Sequence, residues 1–399
     1  MLAATVRVTR DLDAAEESVQ DAYVAALQAW ERDGVPARPG AWLTTVAQRL
    51  ALNALARRRT LQSKLPLLLE PEASDMDEPT EAAIPDDRLR LIFTCCHPAL
   101  GREAQVALTL RLVCGIATAD IAHAFLVAEP TMAARLTRAK KKIAAAGIPY
   151  VVPGPDELPA RLDAVLSVVH LLSTTGHTAP SGEALVRVEL ADRALDLARM
   201  LHALMPGEPE VAGMLALALV HHARHATRVD ADGGFVRLEE QDRAAWDRAA
   251  IAEADRLVIA GLRAAPPGRF VLQAAIAALH AQAPSYAETD WPQILTLYDQ
   301  LLTVWPSPVV ALNRAVAVSM VDGPAAALER VEALERDGQL SGYRYLAATK
   351  ADLLRRLGRD REAADAYRAA LALTDNAAER AYLLERLASG RSGAARGVR

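Results

Sequence analysis

From Pro130 to Ala146 the basic side chains fall in a pattern suited to a polyanion. Thr131, Ala134, Arg135 and Arg138 recur at intervals of three and four, which places them on one side of a helix. Arginine can fork onto a guanine edge, and small side chains such as Thr and Ala can approach bases near a helix start. Lys140, Lys141 and Lys142 follow and can reach phosphates. Leu136, Ala133 and Ile143 are expected to face a core. The competing reading is a basic amphipathic helix in an ordinary bundle.

Other clusters carry less. His221 and His225 would share a helix face, as metal ligands require, but no third ligand is identifiable and a polar helix face is preferred. Cys95, Cys96, His97 and Cys114 could form a thiol-rich site, yet burial of small side chains explains them better. Asp230, Asp232 and Gly233 resemble the start of a calcium loop without its later acids. Asp242, Arg243 and Trp246 follow a Gly-Gly turn and could form a polar pocket or docking rim; solenoid packing is the competing reading. The sequence has no phosphate-binding G-x-x-x-x-G-K-[ST] loop, G-x-S-x-G elbow or H-E-x-x-H motif. No enzymatic activity, cofactor or metal is expected.

The elements that must position these residues are helical. Thr118 can cap a short helix over Ala119–Phe125, and Pro130 suits the first position of the helix that follows. An upstream helix, Arg102–Val113, ends before Gly115. Nearer the N-terminus, Ala15, Val19, Ala22, Tyr23, Ala26, Leu27 and Trp30 recur at helical spacing, and Leu43, Val46, Ala47, Leu50 and Leu55 mark a second helix from about Ala41 to Arg59. Glu70 to Asp87 is acidic, rich in proline and free of Lys or Arg, the composition of a linker. A second break, YVVPGPDELP, precedes a long train of helical patterns from about Pro159 to Leu387. Its last hairpin, with Leu357-Gly358, Ala363, Tyr367 and Ala370, has the form of a tetratricopeptide-like (TPR-like) repeat. Gly323 lies 35 residues before Gly358, near the repeat period.

Composition agrees. A chain of 399 residues corresponds to two or three domains. Its net charge of −5 excludes a simple polybasic protein but allows one basic face. Hydrophobic residues at 52% and charged residues at 24% support a buried core. Aromatics are only 4%, so cores must be built from Ala, Leu and Val, which favours packed helices and disfavours a base-stacking sheet. Three cysteines make no disulfide framework. The apolar segments Ala164–Leu172 and Met214–Val220 fall short of the ~18 residues of a membrane span, and the start has no signal-peptide pattern. A cytoplasmic protein without membrane contact is expected.

The segments AAEESVQDAYVAALQAW, PGAWLTTVAQRLALNALARRR and REAQVALTLRLVCGIATADIAHAFLVAEPTMAARLTRAKKKI, in this order and with an acidic linker between the second and third, resemble a bacterial extracytoplasmic-function (ECF) RNA polymerase sigma factor. The landmarks FTCCHPAL, DGGFVRLEEQDRAAWD and SPVVALNRAVAV, with the final hairpin, resemble the subgroup with a TPR-like extension. The resemblance implies an all-α fold. Residues 1–64 would be a region 2-like domain, 65–86 the acidic linker, 87–147 a region 4-like helix-turn-helix domain and 158–388 a TPR-like α-solenoid regulatory domain.

The resemblance also implies partners. Glu17, Gln20, Asp21 and Tyr23 match the segment that docks on the clamp coiled coil of the polymerase largest subunit. Trp42, Arg49, Asn53, Arg57 and Arg58 match the segment that opens and reads the minus-ten promoter element, Trp42 by stacking on an extruded base. Thr131, Ala134, Arg135, Arg138 and Lys141 match the reader of the minus-thirty-five element. Asp232, Gly233, Asp242, Arg243 and Trp246 are candidates for a regulatory surface that docks a signalling protein. Two departures stand out: the first helix starts late against the family pattern, and Asn53 stands where family members often have Asp. Two other classes remain open: a polymerase-independent helix-turn-helix regulator with a TPR scaffold, and an adaptor whose helix-turn-helix contacts protein.

Overall fold

The computed structural model describes residues 1–64, 87–124, 127–154, 156–179, 181–264 and 266–394. They form two compact units, Met1–Val168 and Val169–Arg399, almost wholly α-helical. The expected acidic linker at 65–86 lies outside the described residues.

The first unit begins with a helix the periodicity did not mark, α1 (Leu2–Thr9). It ends at Arg10, whose backbone is left-handed at φ 51°. Asp11 then caps α2 (Leu12–Asp33) by accepting the N–H groups of Asp13 and Ala14, satisfying donors that a helix start leaves open. α3 (Pro39–Lys64) returns against α2 around a small core of Ala22, Ala26, Leu43 and Ala47, edged by Trp30 and Trp42. Tyr23 and Leu27, expected on this apolar face, are 52% and 74% exposed. The two alanines let the helices approach closely, and the larger side chains fall outside the contact.

α4 (Asp87–Cys95), α5 (Arg102–Leu112), α6 (Thr118–Ala124) and α7 (Glu129–Ala145) follow. α4 is driven inward by Leu89, Leu91, Ile92 and Phe93, all essentially inaccessible; burying each such side chain contributes about 1.5–3 kcal/mol. Gly115, at φ 69°, makes the turn after α5 that few other residues adopt. α6 begins on Thr118 itself. Pro130 is the second residue of α7, after Glu129, where its missing N–H is still harmless. The buried face of α7 is Met132, Leu136, Ala139 and Ile143; Ala133, expected there, is exposed. Cys95, Cys96 and Cys114 are free and buried, and burial pushes the Cys96 thiol up to about 12.

α8 (Leu158–His177) supplies residues to both units. In the second unit α9 (Val188–Leu204), α10 (Pro209–Ala223), α11 (Arg248–Ala264), α12 (Arg269–Gln282) and α13 (Trp291–Val304) pack in sequence. α14 (Pro308–Val321), α15 (Pro324–Asp337), α16 (Arg344–Arg356), α17 (Asp360–Ala372) and α18 (Ala377–Ala394) continue the series, each against its neighbour. Gly323 and Gly358 make the α14–α15 and α16–α17 turns, both at positive φ. α10 is buried nearly all round, which suits its unbroken run from Val211 to Val220. A Cβ on Gly213 would lie 2.5 Å from the Val271 backbone nitrogen, so the close crossing of α10 and α12 requires glycine there.

The two ends of this unit are tied together. β1 (Ser181–Gly182) pairs in parallel with β2 (Asp375–Asn376). The Asn376 amide donates to the Ala184 carbonyl at 3.0 Å, and its Oδ1 accepts the Ala378 and Glu379 N–H groups at the start of α18.

Candidate nucleic-acid interface

The first unit presents two basic helix faces. On α7, Thr131, Ala134, Arg138 and Lys141 are exposed along one side. Arg138 lies along its own helix, Nε donating to the Ala134 carbonyl at 3.3 Å. Arg135 is only 22% exposed and pairs with Glu103 of α5 at 2.8 Å. On α3, Arg49, Asn53 and Arg57 form an exposed stripe at i, i+4 and i+8, with Arg57 Nε donating to the Asn53 carbonyl at 3.4 Å. The Arg58 side chain lies outside the described residues. Trp42 is half-buried, its ring 5.6 Å from that of Trp30 and tilted by 58°. One part of the indole is therefore committed to the α2–α3 core.

The exposed side of α2 is mixed in character. Glu17, Gln20 and Asp21 are exposed, followed by Tyr23, Val24 and Leu27. Acidic groups beside an open apolar strip suit a protein partner better than water alone.

Lys140 behaves differently from the expected phosphate contact. Its ammonium donates to Asp13 and Glu16 of α2, both at 2.7 Å, and its side chain is only 19% exposed. Burial works to lower its pKa, but the two carboxylates outweigh it and leave the group raised. The same junction holds Tyr150, whose hydroxyl lies 2.7 Å from the carbonyls of both Ala3 and Asp87 and shares its one proton between them. The α7 segment and the α1–α3 bundle are thus docked together.

In the second unit, Asp232, Gly233 and Asp242 are exposed, and Arg243 and Trp246 are buried. A polar pocket lined by Arg243 and Trp246 does not form, because both are used to pin the segment that carries them. Arg243 Nη1 donates to the carbonyls of His280 and Ala283, at 2.6 and 2.7 Å, satisfying acceptors left open where α12 ends. Trp246 lies between the guanidinium groups of Arg224 and Arg243, 5.0 and 4.7 Å from its ring centre, and donates to Thr227 Oγ1 at 2.9 Å. Arg224 also donates to the buried Gln241, which donates in turn to the Val236 carbonyl. Asp230 accepts the N–H groups of Asp232 and Gly234, and Gly233 has φ 81°, so the Asp-Gly-Gly stretch is a tight turn.

Comparison with known proteins gives three matches. Residues 2–60 match Sigma-70 region 2. A region 2 at the N-terminus supports a sigma-70 family factor. Residues 161–261 match a family of unknown function (DUF6596). An uncharacterised protein of Rhizobium meliloti (strain 1021) is 44% identical over 388 residues, covering 96% of this chain and 91% of that protein, so the two share a family along nearly their whole length. Region 2 carries with it a sigma-factor role in transcription initiation and binding to core RNA polymerase. Sigma factors direct a polymerase and are not themselves enzymes. No helix among the described residues is long and apolar enough to cross a membrane.

The histidines of the second unit do not converge on a metal among the described residues. His221 stacks on His177 at 4.6 Å, whereas His225 bonds the His222 carbonyl through Nδ1 at 2.6 Å. Among the described residues, no group of three His, Cys, Asp or Glu side chains could hold a metal ion. Burial, with Arg224 nearby, lowers the His221 imidazole to about 3, and burial also holds His177 well down. Arg228 donates to His177 Nε2 at 2.6 Å and to Thr178 Oγ1 at 2.9 Å.

Two sets of residues escaped the sequence reading. Asp13 and Glu16 hold Lys140 across more than a hundred residues, a distance at which spacing carries no signal. Arg237, Leu238 and Glu239 are what the pinned segment presents. They stand inside the quoted landmark DGGFVRLEEQDRAAWD, next to the polar residues that were singled out.

Proposed function

We propose that this chain is a promoter-specificity subunit of bacterial RNA polymerase of the ECF kind, with residues 158–388 as a built-in regulatory module. The observation that carries the reading is an exposed basic helix, α7, at the end of a helix-turn-helix that follows a sigma-70 region 2 in the same chain. Glu17, Gln20, Asp21 and Tyr23 dock on the clamp coiled coil of the largest subunit, joined by Val24 and Leu27. Arg49, Asn53, Arg57 and Arg58 hold the melted minus-ten strand through phosphates and hydrogen bonds. Trp42 stacks on a base only if it leaves Trp30. Thr131, Ala134, Arg138 and Lys141 meet the minus-thirty-five duplex, and Arg135 joins them on release from Glu103.

The docked state of the first unit suits storage rather than reading. Elements 25 base pairs apart lie about 85 Å apart at ~3.4 Å per pair. Lys140 at 2.7 Å from α2 is incompatible with that span. Twenty-two residues, 65 to 86, join the two domains in sequence, so the two domains can separate without breaking the chain. Core polymerase, by engaging α2, selects the separated state.

The deciding experiment is transcription of fragmented genomic DNA by sigma-free core polymerase, with and without the full chain, with sequencing of transcript starts. Discrete starts sharing a two-part upstream motif, present only with the protein, are expected. Tight sequence-specific binding to intact duplex without polymerase, together with no new starts, would overturn the reading in favour of a polymerase-independent regulator.

A further inference from the structure

The segment from Val229 to Asp247 is fastened by costly means. Arg224, Arg243, Gln241 and Trp246 are all buried to hold it, and buried polar groups are retained at such expense chiefly where they fix a position. What they fix is the placement of Arg237, Leu238 and Glu239 over helices α12–α18. There Arg237 and Glu239 line a cavity of about 510 Å³ together with Tyr286, Tyr367 and Tyr382. An adjoining cavity of about 200 Å³ shares Arg237, Glu239 and Tyr286 and adds Trp291 and Tyr298. In a chain with 8 tyrosines, four line this one continuous space.

Its charges do not balance. Arg237 pairs with Glu239 at 2.7 Å, and Arg355 with Asp352 at 2.8 Å. Arg356 bonds only the Ser319 hydroxyl and carbonyl, at 2.9 and 3.1 Å, and has no carboxylate partner among the described residues. The lining therefore carries three guanidinium groups against two carboxylates. Glu239, Arg237, Arg356 and Asp352 all act on the Tyr286 hydroxyl, so the charges converge on one place; burial, helped by Glu239, raises that hydroxyl above its usual range.

We propose that this cavity binds a small organic anion with a flat ring, its carboxylate or phosphate on Arg356 and its ring against Tyr286, Tyr367 and Tyr382. The volume lies within the ~300–1,000 Å³ typical of small-ligand sites, an anionic group completes the charge balance, and arginine is the side chain best shaped for either anion. The inference deepens the reading of residues 158–388 as a regulatory module and rests on it for its consequence. Binding itself is measured without polymerase or DNA, so its failure is distinguishable from failure of the sigma-factor reading.

The test is isothermal titration of the full chain with two matched pairs: indole-3-acetate against indole-3-acetamide, and AMP against adenosine. At least one anion is expected to bind below about 1 mM and at least about tenfold more tightly than its neutral partner. The pair that discriminates tells carboxylate from phosphate. Arg356→Gln should abolish the discrimination. Because Arg356 also braces Ser319, Thr349→Trp, which fills the cavity from α16, is the second variant and should abolish binding with melting unchanged. Four results each overturn the proposal: neither anion binding below about 5 mM, anion and neutral partner binding equally, undiminished binding in Thr349→Trp, or undiminished discrimination in a folded Arg356→Gln.

Discussion

Two sets of arginines, one in each unit, are used in opposite ways. In the first, Arg49, Arg57 and Arg138 stand exposed on helix surfaces, Arg57 and Arg138 lying along their own helices and each donating to a carbonyl one turn back. In the second, Arg224, Arg228 and Arg243 are buried and their hydrogen bonds are internal. Burial lowers Arg224 to about 9 and Arg228 to about 10, a measure of how unfavourable the site is for charge. Exposed arginines bind what arrives from outside at little cost to folding. Buried arginines shape the chain and leave nothing for an external phosphate. The contrast separates two kinds of mutation: at these exposed arginines of the first unit substitutions should change binding and spare stability, and at the buried arginines of the second the reverse.

The largest expected effect is at Trp246. Truncation to alanine removes the indole between Arg224 and Arg243 and the bond to Thr227, leaving two desolvated guanidinium groups beside a hole. A loss of about 3–5 kcal/mol is expected, the range for large aromatic truncations in cores, read as a lowered denaturation midpoint. A loss under about 1 kcal/mol would show that the segment is not part of the folded core and would dissolve the contrast.

Acid is the next lever. His221, held down to about 3, and His170 and His280, held down to about 4, are kept neutral mainly by burial, with Arg224, Arg228, Arg243 or Arg269 adding repulsion against the charged form. In the unfolded chain each titrates near 6.5. A folded pKa below the unfolded one means that the unfolded state binds more protons between the two values. Stability is therefore full above about pH 6.5 and falls as pH drops toward 3–4. His221→Gln should flatten this fall in denaturant titrations from pH 7 to 4; an unchanged slope would mean that the stacked pair with His177 does not titrate with unfolding.

The first unit's surface was the more legible part because helical period and charge are local properties. The stripe on α7, the inward Leu136 and Ile143, and the turns at Gly323 and Gly358 follow from spacing, whereas the stripe on α3 comes from the family resemblance. What spacing cannot show is the partner across the fold. Tyr23 and Leu27 fit the apolar period yet face outward, because Ala22 and Ala26 already fill the narrow α2–α3 contact. Lys140 reads as one of three equivalent lysines until Asp13 and Glu16 are brought to it. Arg243 and Trp246 announce themselves by type as a polar site, but their partners, His280, Ala283 and Thr227, come from other elements and turn them inward.

Arg138→Ala tests the other half of the contrast. Its side chain has no carboxylate partner among the described residues, so removal should leave the unfolding free energy within about 0.5 kcal/mol of wild type. If it meets a base, promoter binding by the holoenzyme should weaken by about 1–3 kcal/mol, selectively by sequence. If it meets only phosphate, the loss should be uniform and the salt slope should fall by about one. Reduced stability with unchanged binding would place Arg138 with the structural arginines instead.

The smallest expected effect lies where the two behaviours meet. Lys140 sits on the basic helix, yet it is paired like a structural residue. A partly exposed pair of this kind contributes on the order of 0.5–1 kcal/mol, too little to hold the docked state against polymerase but enough to bias a free chain. Spin labels on cysteines introduced at Thr45 of α3 and Thr137 of α7, both exposed, report the separation while the native cysteines stay buried. The wild-type chain should give one short distance at low salt. Asp13→Ala with Glu16→Ala should add a longer population, as should raised salt, because exposed ion pairs are screened. A single unchanged distance in the variant would assign the docking to Tyr150 and its two carbonyl partners, and Lys140 would then be an ornament of a contact held by neutral hydrogen bonds.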